Sequence, residues 1–310
     1  MDRDTVLVVG QTTRDLVLQV DQVPAAGRAV SARARREGVG GKGADHALAL
    51  ARLGRPVRLV SAVGDDEAGA TVLGELARGG VDVGGVRRRD GATGLIVELV
   101  DDGGARFVLD LPPADRLAVD EIDAEGLDGV GAVLVALAEP VVVALAAARR
   151  GREAGALVVV DGAPAADDAQ GCDRIPALLA AADVVRADTE EADVLAGRRL
   201  DGLEDVRAAA RAIVTGEPAP GVAVLEAGRD GNVVAWRAGD RVRDATVPLD
   251  DPPSGVVDPT GAGDALAATL VHRLLAGDPP LPAARAASRD AAATLGHLGG
   301  RPVPGDAAPE

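Results

Sequence analysis

The sequence predicts an α/β protein: a doubly wound, mostly parallel sheet flanked by helices, with a small β-sheet lid. Two observations carry this. The apolar runs Val6–Val9, Val57–Val63 and Val130–Leu137 are continuous rather than alternating, as in strands buried on both faces. Strand-length and helix-length segments also alternate along most of the chain, the rhythm of a parallel sheet.

The elements follow in order. Val6–Val9 is a buried strand ended by Gly10. A helix begins near Gly43, carries Ala47, Leu48, Leu50, Ala51 and Leu53 as its apolar side, and stops at Gly54. Val57–Val63 is the next strand, followed by a helix over 67–78. After Pro112-Pro113 come a strand over 130–137, a helix over 140–154, a strand over 157–161, a helix over 175–182 and a short strand over 184–186. A helix through 193–195, another over 203–214 and a strand over 222–225 continue the pattern. Residues 233–236 and 246–247 read as edge strands, and two Ala-rich helices over 262–276 and 281–297 close the chain.

Residues 12–38 and 93–112 break the rhythm. They read as antiparallel strands inserted between α/β units, the second a hairpin turned by Asp101-Asp102-Gly103-Gly104. The α/β unit then takes 1–11, 39–92 and 113–302, the lid takes 12–38 and 93–112, and 303–310 is a flexible tail.

Composition narrows the function. Of 310 residues, 49 are acidic and 33 basic, a net charge of −16. Such a surface repels phosphate backbones and anionic lipids, so neither nucleic acid nor membrane is an expected partner. One Phe, one Trp and no Tyr leave the core to Ala, Val and Leu and offer few platforms for base stacking. Cys172 is the only cysteine, so no internal disulfide forms. No apolar run nears the ~18 residues of a membrane span, and the first residues do not read as a signal peptide. A cytoplasmic protein is expected.

Two segments carry chemistry. In Asp258-Pro259-Thr260-Gly261-Ala262-Gly263-Asp264 a small-residue turn leads into an apolar helix. Unpaired N–H groups at a helix N-terminus make an anion site. Asp264 beside them is placed to accept a proton from a hydroxyl. A capped helix after a Gly turn is the plainer reading. In Gly38-Val39-Gly40-Gly41-Lys42-Gly43-Ala44-Asp45 a G-x-G-x-x-G match lacks the preceding buried strand that a dinucleotide site requires. It also lacks the Ser or Thr of a phosphate-binding P-loop, and a tight turn before a helix suffices.

Taken together, the two segments resemble those of the ribokinase-like, or PfkB, carbohydrate kinases. So do Gly10, Asp15 and Val63-Gly64-Asp65-Asp66 with Gly69, and the resemblance spans nearly the whole chain. It implies transfer of the γ-phosphoryl group of ATP to a sugar or nucleoside hydroxyl, with Mg²⁺ and, in many members, K⁺. It makes Asp264 the base and Gly261, Ala262 and Gly263 the anion hole. Thr13, Asp15, Gly40, Gly41, Lys42 and Asp45 fall at the substrate. Asp188 and Glu191 fall on an N-x-x-E motif that organises Mg²⁺, and Asp258 on the loop of the monovalent cation. Glu226, Gly228 and Gly231 fall beside the ATP phosphates. Paired lids imply a homodimer.

The chain departs from that pattern at several places. Thr13 and Asp45 stand where sugar-specific members carry Asn, Asp188 replaces an Asn, and Ala138 stands where ribokinase has a glutamate, with Glu139 adjacent. Glu226 replaces a hydroxyl residue. Against a phosphate at about 4 Å this costs ~1 kcal/mol in water and ~4 kcal/mol at an effective dielectric of about 20, unless Arg186, Arg229 or a metal compensates. A nucleoside kinase, and a degenerate member that binds ligand with little turnover, are the alternatives. His46 reads first as a solvated or capping histidine and second as a substrate contact, and Arg33, Arg35 and Arg36 first as a solvated lid face and second as contacts to a phosphorylated or acidic substrate.

Overall fold

A computed structural model of the chain describes residues 3–216, 218–250, 258 and 260–299. The expected tail over 303–310 lies outside these residues. The strands are β1 (Thr5–Val9), β2 (Thr13–Gln19), β3 (Ala34–Gly40), β4 (Val57–Gly64), β5 (Val81–Arg89), β6 (Leu95–Asp101), β7 (Gly104–Asp110), β8 (Val130–Ala136), β9 (Leu157–Asp161), β10 (Val184–Ala187), β11 (Val222–Glu226), β12 (Asn232–Ala238) and β13 (Arg241–Val247). The helices are α1 (Lys42–Arg52), α2 (Glu67–Arg78), α3 (Val119–Asp123), α4 (Val141–Glu153), α5 (Ala169–Cys172), α6 (Ile175–Ala181), α7 (Thr189–Ala196), α8 (Leu203–Thr215), α9 (Ala262–Leu275) and α10 (Pro280–Thr294).

The main sheet has nine strands in the order β13-β12-β11-β10-β9-β8-β1-β4-β5. Seven run parallel from β5 to β11, and the hairpin β12–β13 adds antiparallel at one edge. Strand order reverses at β1, whose neighbours are β4 and β8, so the crevice beyond its C-terminal end is where such sheets bind ligands. Successive residues of β1 feed opposite layers. Val6 and Val8 pack with α1, α9 and α10, while Leu7 and Val9 pack with α4 and α6. The buried interior holds Leu50, Leu59, Leu134 and Leu270 but neither Phe107 nor Trp236 among its largest fully buried side chains. Each such leucine contributes roughly 1.5–3 kcal/mol.

The smaller sheet runs β3-β2-β6-β7, built from the two inserted segments. It differs from expectation in one pairing: β2 and β6 run parallel, because a long excursion through β4, α2 and β5 separates them. Two strands have no counterpart in the sequence reading. β3 and β5 are edge strands, and β3 alternates between half-buried and exposed positions over most of its length. Arginines therefore occupy places where a buried strand would show Val or Leu. Arg87, Arg88 and Arg89 of β5 pair with Glu125, Asp65 and Glu121, tying that edge to neighbouring segments. Helix α10 ends at Thr294, three residues before the expected 297.

One close approach positions α1. Its N–H groups at Gly43 and Ala44 donate to the Gln11 carbonyl at 3.0 and 3.2 Å, which draws the helix start onto the end of β1. A methyl on Gly43 would come within 2.7 Å of the Gly10 Cα. Gly43→Ala is therefore expected to lower unfolding stability by about 3 kcal/mol through overpacking against backbone that cannot yield. Denaturant titration measures this; a change below about 0.5 kcal/mol would show that the two segments separate freely.

Candidate functional site

Six elements bring charged side chains to the C-terminal edge of the parallel strands. Asp161 is the last residue of β9, Arg186 lies one residue before the end of β10, and Glu226 ends β11. Lys42 and His46 sit one helical turn apart on one face of α1. Asp264 lies in the first turn of α9 and Glu191 in the first turn of α7.

Asp161, Arg186 and His46 are buried, and their contacts define the site. Lys42 Nζ lies 2.8 Å from Glu191 Oε1 and 3.3 Å from Asp161 Oδ2. Arg186 Nη1 lies 3.2 Å from Asp161 Oδ1. His46 Nε2 lies 3.1 Å from Asp161 Oδ2 and 3.2 Å from Asp264 Oδ1. Burial alone would raise the Asp161 carboxyl, but Lys42, Arg186 and His46 outweigh it and hold the group well below the usual carboxylate range. Burial likewise opposes the Lys42 ammonium, and Asp161 and Glu191 outweigh that and raise it.

The turn before α9 places Gly261 as the N-cap, in the left-handed region at φ 76°. The first N–H groups of the helix have no intrahelical acceptor, and no side chain caps them. The Arg186 guanidinium lies against Gly263; a methyl there would meet Nη2 at 2.8 Å. A full positive charge thus backs the expected anion hole, with the Asp264 carboxylate in the same turn. The start of α1 is different. Gln11 already occupies its N–H groups, so the G-x-G-x-x-G match is a helix start and not a phosphate loop.

The expected substrate residues converge. Thr13 Oγ1 donates to Asp15 Oδ1 at 2.7 Å, and the Asp15 carboxylate lies over Gly40, where no side chain would fit. Gly41 precedes Lys42 as the N-cap of α1, and Asp45 lies in that helix's first turn. At the far side Asp188 caps α7: its Oδ1 accepts from the Glu191 N–H at 2.8 Å while Glu191 Oε2 accepts from the Asp188 N–H at 2.9 Å. An Asp serves this capping box as an Asn would. Burial raises Glu226, Arg186 lowers it, and the charges of Asp188 and Glu191 raise it further. Gly228 and Gly231 form the tight turn after β11, both at positive φ.

Asp258 ties its loop to the chain after α10. Oδ1 accepts from the Thr260 N–H at 2.9 Å and Oδ2 from the Gly299 N–H at 2.7 Å. Pro259 and 251–257 lie outside the described residues. Glu139 is engaged elsewhere, accepting from the Leu117 N–H.

Several site residues escaped the sequence reading. His46 is fully buried rather than solvated or capping. Asp161 and Glu98 lay unremarked within strand segments. Each is a charged residue in or at the end of an otherwise apolar strand, and that is the signal that marks it. Glu98 on β6 is buried, shares a face with Val17 of β2 and accepts a hydrogen bond from the Thr260 hydroxyl. Arg36 of β3 donates to the Leu298 carbonyl, so it docks the small sheet instead of facing solvent. Arg33 and Arg35 do lie exposed, against Asp21 and Glu37.

Comparison with known proteins gives the family of the chain. The sequence profile described as pfkB family carbohydrate kinase matches residues 3–305. The chain belongs to the pfkB carbohydrate kinase family. It is 32% identical over 302 residues to the ATP-dependent ribose-1-phosphate kinase of Halopiger xanaduensis, covering 96% of this chain and 94% of that protein. It is 33% identical over 281 residues to the 1-phosphofructokinase of Rhodobacter capsulatus, covering 86% and 82%. The fold matches that of Arabidopsis thaliana ribokinase complexed with ribose and ATP, at a TM-score of 0.76 and 21% identity over 95% of this chain and 93% of that one. The protein is an ATP-dependent sugar kinase of the ribokinase family.

Glu98 makes the kinase sensitive to pH. Burial pushes its carboxyl up to about 7; the Thr260 hydroxyl pulls it down, and the Asp258 and Asp15 carboxylates raise it. The folded chain then keeps a proton that the unfolded chain releases near 4.5, so stability falls as pH rises from about 4.5 to 7. Glu98→Gln removes this loss, worth up to about 3 kcal/mol, while its amide oxygen still accepts from Thr260. Melting temperatures from pH 4.5 to 7.5 are expected to decline less in the variant; parallel curves would refute the assignment.

Proposed function

We propose that the kinase phosphorylates a hydroxymethyl group of a sugar or sugar-like substrate, with Asp264 as general base. The observation that carries this is the position of Asp264, in the first turn of α9 beside unpaired N–H groups and the Arg186 guanidinium. The substrate hydroxyl gives its proton to Asp264, and its oxygen attacks the γ-phosphorus. The N–H groups at Gly261, Ala262 and Gly263, together with Arg186, hold the charge on the phosphoryl group in flight. Thr13, Asp15, Gly40, Gly41, Lys42 and Asp45 hold the substrate's other groups. Residues 12–38 and 93–112 act as the lid that excludes water. Gly228 and Gly231 let the nucleotide approach the turn after β11.

Asp188 and Glu191 lie within electrostatic reach of Glu226, and carboxylate oxygens of this kind suit a hard divalent cation. Mg²⁺ bound there supplies charge neutralisation to the nucleotide phosphates. In that setting Glu226 belongs to a cation site and does not stand alone against phosphate. His46, Asp161 and Asp264 are also close enough to share an ion. There, however, Lys42 and Arg186 already face Asp161, and a second cation would meet two fixed positive charges. The two oxygens of Asp258 accept backbone N–H groups, which suits a loop anchor better than a potassium ligand.

The test is ATP consumption with Mg²⁺ across ribose 1-phosphate, free pentoses and hexoses, polyols and nucleosides. One sugar is expected to turn over, with Asp264→Asn lowering kcat by about 10²–10⁴ and leaving ATP binding intact. Unchanged kcat in the variant would remove Asp264 as the base. Turnover confined to nucleosides would overturn the sugar reading.

A homodimer through the lid is part of the proposal. Phe107, Val108 and Leu109 lie exposed on β7, the edge of the small sheet, where an unpaired strand invites a partner. A second copy is the fitting occupant, since it brings the same apolar edge. Light scattering at micromolar concentration should give twice the chain mass, falling to one chain mass in Phe107→Glu. A monomeric wild type would refute it. Dependence on ATP and a single cysteine fit a cytoplasmic enzyme.

A further inference from the structure

We infer that His46 is the positioning residue of Asp264, orienting the base by one shared N–H, an inference that rests on Asp264 being that base. His46 has no exposed surface. Its Nε2 lies 3.2 Å from Asp264 Oδ1 and 3.1 Å from Asp161 Oδ2, in ion-pair range of both carboxylates. An ionised carboxylate only accepts, so the nitrogen between them carries the proton. Both ring nitrogens are buried and neither makes an aligned hydrogen bond among the described residues, so proximity and charge hold Nε2 between the two carboxylates.

Asp161 is itself immobilised by Lys42 and Arg186. The chain of contacts therefore runs from fixed cations through Asp161 and His46 to the base. It holds Asp264 Oδ1 and leaves Oδ2 for the substrate hydroxyl. In the reaction the hydroxyl proton passes to Asp264, a bond forms between the hydroxyl oxygen and the γ-phosphorus, and the bond from that phosphorus to the bridging oxygen breaks, releasing ADP. His46 keeps its proton throughout. Packing alone does not call for an imidazole here. A leucine would fill the space against α9 without desolvating a polar ring.

The experiment compares wild type, His46→Leu, His46→Gln and Asp264→Asn, using the sugar substrate that the panel above identifies. His46→Leu is expected to lower kcat by about 10–100-fold, the scale of a misplaced catalytic group. KM for sugar and for ATP should change little, and the melting temperature should fall modestly, since Asp161 loses one of three partners. His46→Gln, whose amide N–H reaches in the same direction, should recover much of the loss. In ¹⁵N-histidine NMR of the wild type, His46 should carry a proton on Nε2. Wild-type kcat in His46→Leu with Asp264→Asn inactive overturns this inference alone. An active Asp264→Asn overturns the reading beneath it. Equal losses of kcat and stability in His46→Leu, with no recovery in His46→Gln, mark a structural role and also overturn it. The NMR measurement uses the native chain, so a tautomer protonated only at Nδ1 overturns the inference even where a variant fails to fold.

Discussion

The buried carboxylate of Asp161 organises the site. It closes β9 at the floor of the crevice, beyond the reach of water, where an isolated charge is costly. Lys42 from α1, Arg186 from β10 and His46 from α1 converge on it and offset that cost. Each of these groups then makes a second contact. Lys42 holds Glu191, Arg186 lies against Gly263, and His46 reaches Asp264. One interior charge thereby sets the relative positions of α1, α7 and α9. Removing it would leave two cations buried without their main partner, a far worse state than its neutral replacement on a surface.

That arrangement also resolves a conflict in the charge distribution. The chain carries a net charge of −16, yet it uses a nucleotide bearing several negative charges. Lys42 and Arg186 lie where six elements meet, and their charge acts in surroundings of low dielectric. Bulk charge governs which large partners approach, while a few enclosed cations govern what is held in the crevice. Glu226, a liability when considered singly, lies within the fields of Arg186, Asp188 and Glu191.

The small sheet is coupled to the same region. Glu98 of β6 meets the Thr260 hydroxyl, and Arg36 of β3 meets the Leu298 carbonyl. Thr260 directly precedes the Gly261 turn at the head of α9. Movement of the small sheet is therefore felt at the N–H groups of that turn through two polar contacts. Residue 258 joins in, since its carboxylate anchors both Thr260 and Gly299.

Much of this was legible from the chain alone. Strands buried on both faces announce themselves as unbroken Val and Leu runs, so β1, β4, β8 and β9 needed no tertiary information. Gly261 to Asp264 and Gly40 to Gly43 were readable as small-residue turns before helices, and their expected roles came only from the family resemblance. Edge strands β3 and β5 were not, because a strand open to solvent carries no apolar period. The pairing of β2 with β6 and the convergence on Asp161 were decided only in three dimensions. Residues 42, 46, 161, 186, 191 and 264 share no local pattern, and a contact across more than a hundred residues leaves no trace in spacing. Local sequence determined which elements form and where a helix start is left open. Only the packed sheet decided that a histidine resembling a surface residue lies between two carboxylates, because burial is a property of the neighbours and not of the residue.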